Sequence, residues 1–123
     1  MVVLVEGLRR TAHYLVSEAN GFRSREVALI ASGSGKVDAG AVLGRVTATK
    51  KLVPLAPAAS DGSQNAVAIL FESCDATSKD VRRTITARDA EVQAAVLVWA
   101  NGVTDNQKTA ALAQLAALGI AAR

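Results

Sequence analysis

Val81-Arg-Arg-Thr-Ile-Thr-Ala-Arg88 alternates in polarity along its length. Val81, Ile85 and Ala87 fall on one side, and Arg82, Thr84, Thr86 and Arg88 on the other. A two-residue period belongs to an extended chain with one buried face, and β-branched residues suit it. Residues 66–71, Ala-Val-Ala-Ile-Leu-Phe, form an unbroken apolar run of strand length, which predicts a strand buried on both faces. Asp75-Ala-Thr-Ser78 between them reads as an Asx-type turn.

The β pattern continues in both directions. Upstream, residues 57–64 form a loop carrying Asp61-Gly62, and residues 52–55 are a short segment whose Pro54 suits an edge strand or a bulge. Residues 41–49 are strand-like, with β-branched Val42, Val46, Thr47 and Thr49, and Lys50-Lys51 cap a hairpin. Asp38-Ala-Gly40 and Gly33-Ser-Gly-Lys36 are turns, and residues 25–32 form a strand containing Val27, Leu29 and Ile30. Asn20-Gly21 is a further turn signal. Thr11-Ala-His-Tyr-Leu-Val-Ser-Glu18 favours an extended chain, and residues 1–10 read as a loose start.

Downstream, residues 94–99 read as another buried strand. Thr104-Asp-Asn-Gln107 matches a capping box, in which the Thr104 hydroxyl and the Gln107 side chain satisfy the first free backbone groups of a helix. Residues 105–118 are rich in Ala, Leu and Gln, all good helix formers. Leu112, Leu115 and Leu118 make an apolar stripe that suits the core better than an interface, and Gly119 sits where a C-terminal cap glycine belongs. Residues 120–123 fit a final short strand. The expected fold is mainly β with a C-terminal α-helix (α+β), arranged as an extended N-terminal arm over 1–24 and one compact domain over 25–123.

Composition bounds the rest. The chain has 123 residues, which suits one domain, and half of them are hydrophobic. Only Tyr14, Phe22, Phe71 and Trp99 are aromatic, so the core is built largely from small side chains. Such a core buries less area per residue and gains from oligomerisation. The formal net charge is +3, spread over short pairs such as Arg9-Arg10 and Arg82-Arg83 with no aromatic stacking platform between them. This is a solvated or protein-facing charge pattern, not a nucleic-acid footprint. Cys74 is the single cysteine, so no intrachain disulfide forms. Met1-Val-Val-Leu-Val5 is followed by Glu6 and does not read as a signal peptide, and no apolar run reaches membrane-spanning length. The chain reads as a product made in the cytoplasm.

Reaction chemistry finds little support. His13 and Cys74 are the sole imidazole and thiol; even three copies of His13 on a symmetry axis make a remote metal site. Gly33-Ser-Gly35-Lys36 lacks the P-loop pattern, since Ile30 stands where its first glycine belongs and Val37 where its hydroxyl belongs. Asp38 breaks the dinucleotide fingerprint, and no G-x-S-x-G elbow occurs. Asp89 and Glu91 are a solvated pair near a turn. No enzyme activity and no cofactor is expected. One alternative is a carrier. Val37-Asp-Ala-Gly-Ala-Val-Leu-Gly-Arg-Val-Thr-Ala48 is similar to the hairpin of biotinyl and lipoyl domains, with Lys50 or Lys51 as the modified residue. The flanks that mark such a lysine and the second half of that barrel are both missing.

A wider resemblance runs through the chain in order. It comprises Leu15-Val-Ser-Glu-Ala-Asn-Gly21, Arg23-Ser-Arg-Glu26, Ala39-Gly-Ala-Val-Leu-Gly44, Pro57-Ala-Ala-Ser-Asp-Gly-Ser-Gln64, Ala68-Ile-Leu70 and Asp75-Ala-Thr77. It continues in Arg88-Asp-Ala-Glu-Val92, Val98-Trp99 and Ala116-Ala-Leu-Gly-Ile120. In this the chain resembles the phage head decoration proteins of the lambda protein D family, although Ala100 stands where the family often has proline. The resemblance implies a homotrimer that binds the major capsid protein on the outer face of the expanded head, at three-fold and quasi-three-fold sites. It cements the shell against packaged DNA, with the N-terminal segment reaching toward the shell. The expected capsid-binding residues are Ala12, His13, Tyr14, Leu15, Val16, Ser17 and Glu18, suited to adding a strand to a neighbour's sheet, with Arg23 and Arg25 as ion-pair partners. The other reading of residues 12–18 is an ordinary strand of the domain itself. Trp99 suits either a trimer contact or the core. Host-surface binding is a rival role, but no aromatic cluster or added module supports it.

Overall fold

The computed structural model describes residues 10–123. Five strands close a small barrel in the order β2 (Arg25–Ile30), β5 (Leu52–Pro54), β4 (Val42–Arg45), β6 (Ala66–Leu70) and β8 (Val81–Thr86). Two short strands, β3 (Gly35–Val37) and β7 (Cys74–Ala76), pair antiparallel beside it. A third sheet has the order β1 (Leu15–Glu18), β9 (Ala90–Val92) and β10 (Ile120–Ala122). One helix, α1 (Asp105–Ala117), precedes β10. The domain is therefore mainly β with a C-terminal helix.

The apolar run of β6 explains how two cores share one barrel wall. Ala68 and Leu70 belong to a cluster with Ile30, Leu43, Leu52 and Ile85. Ile69 belongs to a second cluster with Tyr14, Val42, Val92, Ala111, Leu115 and Ile120. Adjacent residues of a strand point to opposite faces, so β4 and β6 are buried on both sides. The first cluster fills the barrel. The second lies between the outer wall, α1 and the β1–β9–β10 sheet. Close packing at the wall uses Gly44, where any Cβ would overlap the Ser63 backbone.

Several local expectations hold. Thr104 is the N-cap of α1, its hydroxyl accepting from the Gln107 N–H at 3.2 Å while Gln107 Oε1 accepts from the Thr104 N–H at 2.8 Å. Gly119 follows the helix at φ 85°, the left-handed conformation a helix terminus calls for. The helix is tied to the start of β6, where Gln114 Oε1 accepts from the Ala66 N–H at 2.7 Å.

Other expectations need correction. Residues 94–99 are not a strand: Ala94–Val96 form a 3-10 turn whose Val96 is exposed. Small apolar residues in a short run do not by themselves distinguish a strand from a turn, and here the Gln93 and Ala94 carbonyls close the turn. The helix stripe is also shifted. Ala111 and Leu115 are buried one turn apart, whereas Leu118 is the C-cap, has left helical geometry and is 40% exposed. β5 is no edge strand, since it lies between β2 and β4. Its contact with β2 is the single pair Ile30↔Leu52, so Pro54 lies beyond that ladder and its missing N–H costs nothing there. The strand expected over 41–49 shortens to β4, with Lys50 at φ 64° in the turn to β5.

Candidate functional site

The residues expected to grip a partner lie at the N-terminal entry to the domain. The Ala12 N–H donates to the Phe71 carbonyl at 2.8 Å, docking the chain beside the end of β6. His13 is half-buried, with Nδ1 2.9 Å from the Arg10 carbonyl and its ring edge-on to Tyr14. Tyr14 is fully buried in the outer cluster. Its hydroxyl lies 2.6 Å from Thr86 Oγ1, and burial pushes its pKa up to about 12. This explains why Thr86, on the polar side of the alternating β8, is itself buried: Tyr14 covers it.

β1 then pairs antiparallel with β9 in the register Leu15↔Val92, Ser17↔Glu91 and Glu18↔Ala90. Leu15 packs against the outer core. Val16 is 51% exposed, and Ser17 donates to Glu91 at 3.1 Å. The described part of the expected arm, residues 10–24, is thus joined to the body by a strand ladder and a buried aromatic ring; residues 1–9 lie outside the described residues. Among the described residues β1 is a sheet edge, with β9 on one side only.

Glu18 and Arg25 form a compact internal pair. Arg25 Nη2 lies 2.5 Å from Glu18 Oε1, Arg25 Nε donates to Oε2 at 3.2 Å, and the buried Ser24 hydroxyl donates to the same carboxylate. The Arg25 guanidinium holds the Glu18 carboxyl below its ordinary range, helped by Ser24 and opposed by desolvation. The same guanidinium sits 4.4 Å from the Phe71 ring centroid and 5.2 Å from that of Phe22. Arg25 is thereby committed within the chain. Arg23 is exposed, and its carbonyl accepts from Arg88 at 2.8 Å.

Sequence reasoning did not single out the neighbouring surface. Phe22 is 75% exposed, Val27 61% and Leu29 38%. Val27 and Leu29 lie on the outward face of β2, opposite Thr84 and Arg82 of β8. The signal was present in Glu26-Val-Ala-Leu-Ile30, where apolar residues occupy both faces of one strand.

The remaining candidates stay apart. Cys74 is buried in the barrel cluster, and burial raises its pKa, which keeps it a poor nucleophile. No group of three or more His, Cys, Asp or Glu residues able to hold a metal occurs among the described residues. Lys51 pairs with Asp80 at 2.7 Å, and Lys50 is exposed at its turn. Trp99 is half-buried against the outer core, with the Lys108 ammonium 5.9 Å from its ring centroid. No helix of the described residues is long and apolar enough to cross a membrane.

The described residues thus form a small barrel with a second packed layer, a tethered edge strand and an exposed apolar face. Over residues 3–120 the chain matches the model of the family described as bacteriophage lambda head decoration protein D, and it belongs to that family. A search of curated proteins finds no match. The family is a structural one whose place is the virion capsid, and it is not an enzyme family.

Proposed function

We propose that the protein binds as a homotrimer to the outer surface of the expanded phage head, at three-fold and quasi-three-fold sites, and stabilises it against internal DNA pressure. The family match over residues 3–120 carries this reading. A ligand that prefers the expanded lattice shifts the equilibrium toward it, and three linked contacts per trimer supply avidity without strong individual sites. The partner is the major capsid protein.

The N-terminal segment supplies the grip. Of the residues 12–18, Arg23 and Arg25, exposed Val16, Ser17 and Arg23 are suited to touch the shell, while Tyr14, Glu18 and Arg25 hold the segment in place. The edge position of β1 suits addition of a strand from the shell. The test mixes the protein with expanded and unexpanded shells and reads the bound stoichiometry. Binding to the expanded form in multiples of three is expected; equal binding to both forms, or to neither, overturns the reading. Val16→Asp and Arg23→Glu alter exposed side chains and leave Tyr14 and the β1 ladder in place, so the pair probes the grip without dismantling the domain. Trimers that no longer coat expanded shells are the expected result.

A further inference from the structure

The outer wall of the barrel is covered unevenly. At the Arg25↔Thr86 end of the β2–β8 ladder, Tyr14 lies over Thr86 and buries it. At the Val27↔Thr84 and Leu29↔Arg82 rungs the covering layer stops. A strand face left to water ordinarily carries polar side chains. Here it carries Val27 and Leu29, and they continue into Phe22 and Phe71 beside Arg25. Apolar residues gathered on one bare wall mark a contact surface.

Charge and position indicate what covers it. Arg82, opposite Leu29, and Arg23, beside Phe22, are exposed and have no carboxylate partner among the described residues. Other cations bordering this face are neutralised: Arg25 by Glu18 and Arg88 by Glu26. The bare face is thus apolar with an uncompensated positive rim, which opposes stacking of two identical faces and favours an acidic partner. It is also continuous with the N-terminal entry, because Phe71 both lines it and accepts the Ala12 N–H.

We infer that the outward face of β2, centred on Phe22, Val27 and Leu29 and rimmed by Arg23 and Arg82, is a second docking surface for the shell, taking an apolar segment of the capsid protein flanked by carboxylates. This rests on the capsid-decorating reading above and adds a contact to it. The surface engages side chains on a sheet face, whereas β1 offers backbone groups at an edge. Arg25 belongs to the same surface, its guanidinium lying against both aromatic rings.

The test uses the full chain and expanded shells of the encoding phage, with wild type, Val27→Asp and Arg82→Glu compared in parallel. Occupancy is read by co-sedimentation, self-association by analytical ultracentrifugation and folding by thermal melting. The expected result is at least a roughly tenfold loss of shell affinity in both variants, with unchanged self-association and melting. A wild type that coats shells while both variants coat them equally well overturns the docking surface alone. Variants that lose self-association also overturn it, by assigning the face to a contact between copies. A wild type that fails to coat expanded shells overturns the underlying reading as well.

Discussion

Tyr14 shows how one side chain decides the character of a whole segment. Its ring enters the outer core and its hydroxyl meets Thr86, so the chain around it cannot swing free of the body. Tyr14→Phe keeps the ring and leaves the buried Thr86 hydroxyl without that partner. The expected cost is about 1 kcal/mol, measured as a lower denaturant midpoint with an unchanged slope. The sequence offered no sign of this pairing. Tyr14 and Thr86 are 72 positions apart, and Thr86 lies on what reads as the solvent side of an alternating strand. Glu18 and Arg25 were legible as charged residues near an extended segment. Their mutual engagement was not, because it depends on the turn that brings the start of β2 back against β1.

At the scale of elements, the signals that carried furthest were local. The capping box at Thr104 and the glycine at 119 bracketed α1 correctly because both act within a few residues of themselves. The alternation over 81–88 and the apolar run over 66–71 gave β8 and β6 for the same reason. Failures came where tertiary packing chooses the outcome. Ala94–Val96 turn instead of extending, and the buried line of α1 passes through Ala111 and Leu115 instead of Leu118. Leu115→Ala should therefore lose about 2–5 kcal/mol, and Leu118→Ala well under 1 kcal/mol. A pair of thermal melts distinguishes them; comparable losses would restore the three-leucine stripe. The bare face of β2 stayed hidden because its strand is apolar on both sides, and sequence does not say which side the barrel encloses.

For the whole molecule, acid is the informative stress. Glu18, Asp61, Asp75, Asp80 and Glu91 all have carboxyl pKa values held below their ordinary ones by hydrogen bonds or cations. A depressed folded-state pKa means that the unfolded chain takes up protons first. The associated stability is present above the ordinary carboxylate range and is lost as pH falls through the folded values. The melting temperature should thus hold steady above about pH 5 and decline below the ordinary Glu value of 4.5. Glu18, the most enclosed of these carboxyls, should contribute a distinct part, so Glu18→Gln should flatten the decline as well as lowering the neutral-pH plateau. A plateau extending unchanged far below that value would show that these contacts are not maintained in solution.

The way the chain enters through Ala12, Tyr14 and β1 also has a mechanical consequence. A tensile load applied before Arg10 meets the Ala12–Phe71 hydrogen bond and then the locked Tyr14 ring. Beyond these it pulls β1 lengthwise past β9, whose rungs lie across the direction of pull. Loaded in shear, those rungs share the force and yield together, instead of opening one by one as in peeling. With the shell gripped through this segment as proposed, a stretching force from a swelling support would pass along β1 into the β9 sheet without unravelling it first.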